Sequence, residues 1–530
     1  MKKKIIALVM TAVMMASTIA CGTDKKAVSD FQYRNIDVSG PPVTITYLTI
    51  GDKPINGMTE KVLEKLNELL LKKVNAKLDI YYIGWNDYLE NYNKTLSLGN
   101  VNVDLIAAGS DWLDAWPNAA NGYFMPLSEE MLRTYCPQTY RYVSSMDWDC
   151  CSYDGKIYFI PENEYTQWIN YGFVYRLDNV KQVEKSKSDE IGEDFKIGEI
   201  QDWDGLDRFF RNYKELNPDK LLWDVDGKET TQALGYIMSE SNYIPIYELG
   251  EYGIWGIFKN AHSQIVSPYM SGNYLINYAK LMKRWNELGV WRNDFKDYKD
   301  NYEAFYNGET SVVLATTEDY YTTIQPNMQI YQPEAKLKFF WFGKDNILKT
   351  SILHGAMAVS SKSKNPERAL MVYDILRNDE ECYRLIRYGI EGVQYQINHN
   401  KDMLEKPSGY NDEKDGITTN FWWGRRDIFE KADSNYAWDE YNELKTEYNK
   451  IAIDYPWDKY RFMTTNINST IQAVTKVCDK YIPEITYGRY DRTPEAEVDE
   501  FRKELQAAGI DEVKNYLQNI YDSDKDMTGH

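Results

Sequence analysis

The chain has 530 residues, of which 43% are hydrophobic and 27% are charged, a composition too polar for an integral membrane protein. One hydrophobic core stops growing at roughly 250–300 residues, so this length predicts two lobes. The 81 acidic residues outnumber the 61 lysines and arginines, and the resulting net charge of −20 disfavours nucleic acid as a partner. Aromatic residues make up 14% of the chain and include 44 tyrosines. Most such rings fill cores, and some can stack on a ligand.

The first residues predict export. Three lysines precede an apolar stretch at 5–20 that is too short to span a bilayer and is typical of a secretory signal peptide. The stretch ends at Cys21 in a context that resembles a bacterial lipobox, with Thr18 where that motif usually has leucine. We predict a signal peptide over 1–20 and a tether over 21–42, lipid-anchored through Cys21 to the outer face of the cytoplasmic membrane. Ordinary signal-peptidase cleavage, which would release the protein, is the alternative.

Strand and helix patterns alternate after the tether. Strands are predicted at 43–50, 78–83 and 103–108, where β-branched and aromatic residues cluster. Between them, a helix is predicted from Thr59, where apolar residues recur every three or four positions, and another over 85–98. This order predicts a parallel sheet flanked by helices, with ligands at the carboxyl ends of its strands. The loops expected at that edge are 51–56, 84–87 and 109–112.

The same alternation continues along the middle of the chain. Further strands are predicted at 156–160, 171–175, 310–315 and 357–359. Further helices are predicted over 203–216 and 278–288, and after Asn365 with Pro366 in the first turn. From about residue 421 the pattern is mostly helical and acidic, and 495–505 is its clearest amphipathic segment.

Signatures of catalysis and of cofactor binding are scarce. The sequence contains no G-x-S-x-G, H-E-x-x-H, Walker or G-x-G-x-x-G motif. Its four histidines are widely separated, and the cysteines after Cys21 have no spacing that predicts disulfides or a metal site. We therefore predict no metal, no cofactor and no catalytic residue. A glycoside hydrolase remains an alternative, because that reaction needs only two carboxylates.

Five short segments carry a family resemblance. They are 50–54 (IGDKP), 83–88 (IGWNDY), 154–161 (DGKIYFIP), 358–369 (AVSSKSKNPERA) and 389–392 (GIEG). Their order and spacing resemble ABC-transporter extracellular solute-binding proteins of family 1, in particular the carbohydrate-binding lipoproteins with a long C-terminal extension. Relatives usually have a His-Tyr pair after the final Glu-Gly, where this chain has Val393 and Gln394.

The resemblance implies a two-lobed α/β fold of the periplasmic-binding-protein type II class, each lobe a mostly parallel sheet flanked by helices, with a helical C-terminal region. Lobe 1 would take 43–160 and 352–400, and lobe 2 would take 161–351 and 401–530. It also implies a monomer that captures a carbohydrate, expected to be an oligosaccharide, between the lobes. Hinge closure would present the ligand to membrane permease subunits driven by a separate ATPase. A sugar-sensing subunit and a binder of peptides or other polar solutes are alternatives.

Aromatic residues beside carboxylates suit a sugar, which has an apolar face of C–H groups and a rim of hydroxyls. Many of these pairs follow predicted strands. The candidate ligand-binding residues are Trp85, Asp87, Asp111, Trp112, Tyr165, Trp168, Trp255, Glu318, Tyr320, His354, Glu391 and Trp422. Core packing is the alternative for the aromatic residues and for His354, and a hinge role is the alternative for Glu391. Because Trp422 and Trp423 are adjacent, we expect one of the two in the core.

Overall fold

The computed structural model describes residues 33, 36–164, 167–229, 231–398, 400 and 402–527. Residue contacts divide the chain into two compact units. Unit 1 is formed from Met1–Gly109, Asn121–Tyr165 and Ile352–Ala432, and unit 2 from Ser110–Ala120, Thr166–Ser351 and Asp433–His530. The predicted division differs at two main places. Residues 110–120 belong to unit 2 rather than lobe 1, and residues 401–432 belong to unit 1 rather than lobe 2.

Unit 1 is built on a four-stranded sheet. Its strand order is Ala356–Val359, Leu105–Ala108, Val43–Ile50 and Ala76–Ile83. Val43–Ile50 pairs in parallel with both of its neighbours, and Ala356–Val359 is antiparallel at one edge. Ile50 lies opposite Ile83, and the N–H of Gly51 donates to the carbonyl of Ile83 at 2.8 Å. The prediction that the loops after these two strands meet at one edge is therefore confirmed.

Helices pack on this sheet, among them Met58–Val74, Tyr88–Leu98 and Pro366–Asn378. Unit 1 also contains the helices Glu129–Tyr135, Pro137–Tyr142, Ser145–Cys150, Glu380–Tyr388 and Asp412–Asp415. Pro366–Asn378 is buried from Ala369 onwards, and it carries the buried carboxylate of Asp374. Asp374 accepts hydrogen bonds from the Thr139 N–H at 2.7 Å and from the Thr139 hydroxyl at 2.8 Å. These bonds join the helix to Pro137–Tyr142, so the two elements pack as one layer.

A late segment of the chain closes unit 1. Asn420 donates from its side-chain amide to the carbonyl of Ile50 at 2.5 Å, and its own carbonyl accepts from the Tyr47 hydroxyl at 2.8 Å. These two bonds attach the segment to the end of the strand Val43–Ile50. This attachment explains why residues 401–432 join unit 1, which the local sequence pattern did not indicate.

Unit 2 contains antiparallel sheets. In the first, Tyr171–Arg176 lies between Val312–Thr316 and Leu337–Trp341, antiparallel to both. In the second, Gly256–Phe258 lies between Ala261–Val266 and Tyr243–Pro245, again antiparallel to both. The expectation of a mostly parallel sheet in the second lobe is therefore wrong for these pairings. Residue alternation predicts where a strand lies, whereas its direction depends on partners that are distant in sequence.

Unit 2 also has a two-stranded antiparallel sheet of Trp168–Ile169 and Leu348–Lys349, and most of its other elements are helices. Its longer helices are Leu177–Ile191, Trp203–Leu216, Thr231–Glu240, Tyr274–Glu287, Trp438–Ile451, Asn468–Thr486, Pro494–Ala507 and Ile510–Met527. Shorter helical segments are Ala115–Ala120, Asn301–Tyr306, Thr317–Asp319, Tyr320–Ile324 and Gln325–Tyr331. The predicted helix at 203–216 and the mostly helical C-terminal region are confirmed. No helix in the described part of the chain is long and apolar enough to cross a membrane.

Gly51 offers a test of the contact between Asn420 and the sheet. Its φ is +140°, and a β-carbon there would overlap the side-chain amide of Asn420. We expect Gly51→Ala to lower the free energy of unfolding by roughly 3 kcal/mol or more, since strain and overlap add. Gly57→Ala is the control, because its φ is also positive, at +76°, and nothing lies within 4 Å of the added carbon. It should cost only about 1 kcal/mol in urea denaturation.

A double variant isolates the overlap. In an Asn420→Gly background, Gly51→Ala should cost much less than in the wild type, because the amide that it would meet is gone. Equal costs in the two backgrounds would show that the contact with Asn420 does not set the requirement for glycine.

Candidate functional site

One group of candidate residues lies at the carboxyl edge of the unit 1 sheet. Trp85 is 47% exposed, and its ring meets Tyr88 edge to face with centroids 5.9 Å apart. The backbone N–H of Trp85 donates to the carboxylate of Asp52 at 3.3 Å, which fixes the two loops against each other. Asp87 is exposed and has a left-handed backbone, with φ 51°. The edge thus presents an indole ring beside carboxylates, the combination that suits a sugar.

A second group in unit 1 surrounds a buried acid, Glu162. A β-carbon on Gly355 would lie 3.8 Å from Trp422, 3.7 Å from Trp423 and 3.9 Å from Glu162, so these side chains converge around that glycine. Trp423 is fully buried, whereas Trp422 is half-buried, which confirms that one of the pair belongs to the core. His354 precedes this glycine and is also half-buried.

Glu162 is only 8% exposed. Burial raises the pKa of its carboxyl to about 8, against the opposing charge of arginines such as Arg377. Arg377 is directed elsewhere, since it donates to the carbonyl of Pro161 at 3.2 Å and to Asn163 at 2.6 Å. Among the described residues, the buried Oε1 of Glu162 has no hydrogen-bond partner. The group is therefore a desolvated acid beside a half-buried indole.

Unit 2 contains a cluster of three acids, which we call the unit 2 acidic site: Asp111, Glu248 and Asp458. Burial raises the pKa of Glu248 to about 8, and the charges of Asp111 and Asp458 act in the same direction. The pKa of Asp458 is raised to about 6, first by burial and then by Asp111. Glu248 is thus affected by the charges of both other acids, and Asp458 by that of Asp111, so the three carboxyl groups lie near one another.

Aromatic rings border the unit 2 acidic site. The Tyr455 hydroxyl donates to Glu248 Oε2 at 2.6 Å and accepts from the N–H of Tyr247 at 2.9 Å. The rings of Tyr247 and Tyr455 stack with centroids 6.1 Å apart and an interplanar angle of 29°. Tyr171 is 43% exposed. The pKa of its phenol is raised first by burial and then by nearby negative charges, one of which is Asp111. These rings give the acids a tyrosine-rich surround.

Arg461 is bonded to Asp458 of the unit 2 acidic site, and Trp116 lies against Arg461. The Arg461 guanidinium donates to the carbonyl of Asp458 at 2.9 Å and lies over the Trp116 ring, 4.9 Å from its centroid. Trp112 is half-buried on the segment that carries Asp111. Of the candidates from the sequence, Asp111 is the one that this site includes.

Two candidate aromatic residues are core residues instead. Trp255 is 1% exposed, and its indole N–H donates to the carbonyl of Ile510 at 3.2 Å. Tyr320 is 2% exposed and stacks on Phe339 with centroids 5.6 Å apart. Their burial contradicts the prediction that they contact a ligand. Trp255 bonds to the first residue of the helix Ile510–Met527, and Tyr320 packs on a residue of the strand Leu337–Trp341, so both rings face inward.

The remaining candidates are dispersed. Trp168 is half-buried in unit 2 and packs on Tyr448, with ring centroids 5.3 Å apart. Glu318 and Glu391 are exposed, in unit 2 and unit 1 respectively. Tyr165, Cys21 and the signal peptide lie outside the described residues.

The sequence motifs did not indicate four residues of these groups: Glu162, Glu248, Tyr455 and Asp458. Glu248 and Asp458 each follow an aromatic residue directly, the same pairing that drew attention to Trp112 and Asp111. They were missed because neither follows a predicted strand. Within the described ranges, no group of three or more histidine, cysteine, aspartate or glutamate side chains is placed to hold a metal ion.

The raised pKa of Glu162 predicts a pH-dependent stability. Between its ordinary pKa of 4.5 and its folded value of about 8, the folded chain keeps a proton that the unfolded chain has lost. Stability is therefore lost as pH rises through this window, by at most about 1.4 kcal/mol per pH unit. Glu162→Gln has no carboxyl group to titrate at this position. We therefore expect its free energy of unfolding to rise relative to that of the wild type as the pH increases from 5 to 8.

Urea denaturation at pH 5, 6, 7 and 8 measures this difference. Glu130→Gln, at an exposed position of unit 1, is the control and should track the wild type. A difference between Glu162→Gln and the wild type that is constant with pH would show that Glu162 does not hold its proton in the folded state.

Comparisons with known proteins agree with this architecture. A protein of Streptococcus pneumoniae serotype 4 described as a carbohydrate ABC transporter substrate-binding protein is 22% identical over 98% of both chains. The crystal structure of the N-glycan transport solute-binding protein NgtS from Streptococcus pneumoniae has a TM-score of 0.68, at 20% identity, and covers 91% of this chain and 98% of that one. The alginate-binding protein AlgQ2 has a TM-score of 0.62, at 15% identity, with coverages of 92% and 99%.

These likenesses confirm the α/β solute-binding-protein fold that the sequence motifs implied. Two family models match the chain. One, described as a domain of unknown function (DUF3502), matches residues 456–523. The other, described as bacterial extracellular solute-binding protein, matches residues 56–380, which is more than half of the chain. The chain belongs to the family of bacterial extracellular solute-binding proteins.

Proposed function

We propose that this chain is the substrate-binding subunit of an ABC importer and that it captures a neutral oligosaccharide. The observation that carries the proposal is the unit 2 acidic site, where desolvated carboxyl groups are bordered by tyrosine rings. Rings supply the stacking surface for the C–H face of a sugar, and carboxyl groups supply oriented donors and acceptors for its hydroxyls. The exposed Trp85, with Asp52 and Asp87, offers the same combination in unit 1.

Charge favours a neutral ligand over an anionic one. An anion near Asp111 and Asp458 would meet like charge in a site where burial weakens screening by solvent. The relatives support carbohydrate as the class of ligand. The NgtS structures include complexes with Man1GlcNAc and Man5GlcNAc, and the Streptococcus pneumoniae relative is described as a carbohydrate transporter component.

Delivery to a permease and anchoring in the membrane complete the proposal. We propose that the chain acts as a monomer, that its lobes close on the ligand, and that Cys21 carries a lipid that holds it outside the cytoplasmic membrane. The sequence motifs support each of these steps, since they resemble those of lipoproteins that serve ABC permeases with separate ATPases. A sugar-sensing role would use the same binding surfaces.

A glycoside hydrolase is the second candidate, and one observation favours it. Glu248 and Asp458 are neighbouring carboxyl groups whose pKa values differ, at about 8 and about 6, which is the pattern of an acid and a base in glycosidases. Reducing ends released from an oligosaccharide that binds would support hydrolysis. The proposed binding function requires that bound oligosaccharides stay intact.

Titration calorimetry of the chain from residue 21 onward tests sugar capture. The panel contains neutral mannose and N-acetylglucosamine oligosaccharides of increasing length, with anionic alginate oligosaccharides for comparison. We expect binding of the neutral series. Trp85→Ala should weaken it roughly tenfold, as expected for the loss of about 1.4 kcal/mol of stacking.

Tyr153→Ala is the matched control for Trp85→Ala. Tyr153 is 46% exposed in the same unit, on the hairpin formed by Ser152–Tyr153 and Lys156–Ile157. Its removal should leave sugar affinity unchanged. Absence of heat with every oligosaccharide would refute carbohydrate capture, whereas binding of alginate alone would refute the preference for a neutral ligand.

Lipid anchoring has its own test. In bacteria that produce the full chain, the wild type should be found in the membrane fraction, and Cys21→Ala should be lost from that fraction because it has no thiol to receive the lipid. Ser17→Ala, just before the predicted lipobox, is the control and should stay membrane-bound. Equal membrane recovery of Cys21→Ala and the wild type would exclude Cys21 as the anchor.

A further inference from the structure

The C-terminal region that matches the domain of unknown function shares the hydrophobic core of unit 2. Its buried residues Val474, Ile482, Phe501 and Leu517 belong to the same cluster as Trp203 and Trp285. A hydrogen bond also joins this region to the rest of unit 2, since the Tyr278 hydroxyl donates to Thr486 Oγ1 at 3.1 Å. The region is therefore a part of unit 2 rather than a body of its own.

The region begins inside the unit 2 acidic site. Tyr455 precedes it by one position and holds Glu248 through the 2.6 Å hydrogen bond. Asp458 and Arg461 are among its first residues. Within the described residues, the buried Oδ1 of Asp458 has no hydrogen-bond partner, so this acid has an acceptor to spare for a ligand. We call residues 455–463 the site loop.

The last helix, Ile510–Met527, packs against the site loop and bonds to it. Tyr521 packs on Trp457, with ring centroids 5.9 Å apart, and stacks on Tyr460 at 5.5 Å. The Tyr516 hydroxyl donates to the carbonyl of Met463 at 2.7 Å. Trp457 is 1% exposed, so it anchors the loop in the core. The site loop has no regular secondary structure to hold it in one conformation. Contacts at both of its halves therefore fix its path.

We propose that the C-terminal region serves as the scaffold of the sugar site in unit 2, and that Tyr516 and Tyr521 are positioning residues for Asp458 and Tyr455. This inference rests on the proposed function, since it names the part of the chain that shapes the binding surface for a neutral sugar residue. The region acts through the site loop, because Tyr516 and Tyr521 bond to and pack on that loop. The helices of the region hold the site loop in place, and the residues of the loop contact the ligand.

Tyr516→Phe is the test, because it removes one hydroxyl and keeps the ring. We expect it to weaken binding about tenfold for the neutral oligosaccharide that the wild type binds most tightly in the panel above. Tyr490→Phe is the matched control. Tyr490 is also half-buried in the C-terminal region, and its hydroxyl donates to a backbone carbonyl, that of Ala279, at 3.0 Å. It does not bond to the site loop, so affinity should be unchanged.

Hydrogen exchange in the ligand-free protein separates this inference from the proposed function. Tyr516→Phe should speed amide exchange over 455–463, and Tyr490→Phe should not. Unchanged exchange there, or equal loss of affinity in both variants, would overturn the scaffold role. Faster exchange together with a wild type that binds no sugar would uphold the support of the loop by the last helix and overturn the sugar function alone.

Discussion

The hydrogen bond from Asn420 to Ile50 joins positions 370 residues apart and fixes the architecture of unit 1. It attaches a late segment to the end of the central strand of the sheet, and the Tyr47 hydroxyl binds the same residue from the strand side. Trp422 and Trp423 follow within three positions, so the attachment also determines where these rings lie. Through them it sets the surroundings of Gly355 and Glu162. A partly buried polar contact of this kind costs stability when either partner is removed, and it therefore favours one arrangement.

Local sequence patterns predicted the elements whose signal is local. The strand Val43–Ile50 and the helix Trp203–Leu216 were predicted with their observed bounds, because alternation and helical periodicity are complete within each segment. The strand Leu337–Trp341 was missed, and the directions of the unit 2 strands were wrong. Those features depend on pairing with Tyr171–Arg176, more than a hundred residues away, which no local pattern contains.

In the candidate site, too, local sequence patterns predicted only the features that neighbouring residues determine. Trp85 and Asp87 lie where the strand order placed them, because a parallel register brings neighbouring strand ends together. The unit 2 acidic site instead collects Asp111, Glu248 and Asp458 from three distant parts of the chain. The neighbours of Glu248 and Asp458, Leu249 and Trp457, share the core of unit 2. Such long-range packing has no local signal, so the sequence indicated Asp111 and left its partners unidentified. Trp255 and Tyr320 show the converse error, since an aromatic residue near a loop is as useful to a core as to a ligand.

The two shifted acids of unit 2 explain how one site can match a sugar hydroxyl, which both donates and accepts a hydrogen bond. With a pKa of about 8, Glu248 is mostly protonated at pH 7 and can donate. With a pKa of about 6, Asp458 is mostly ionised at that pH and accepts. At lower pH both groups are protonated and each offers an O–H donor beside a carbonyl acceptor, whereas at higher pH both are charged and can only accept. Burial raises both pKa values, so under the proposed sugar-binding function it is desolvation that keeps a donor in the site at neutral pH.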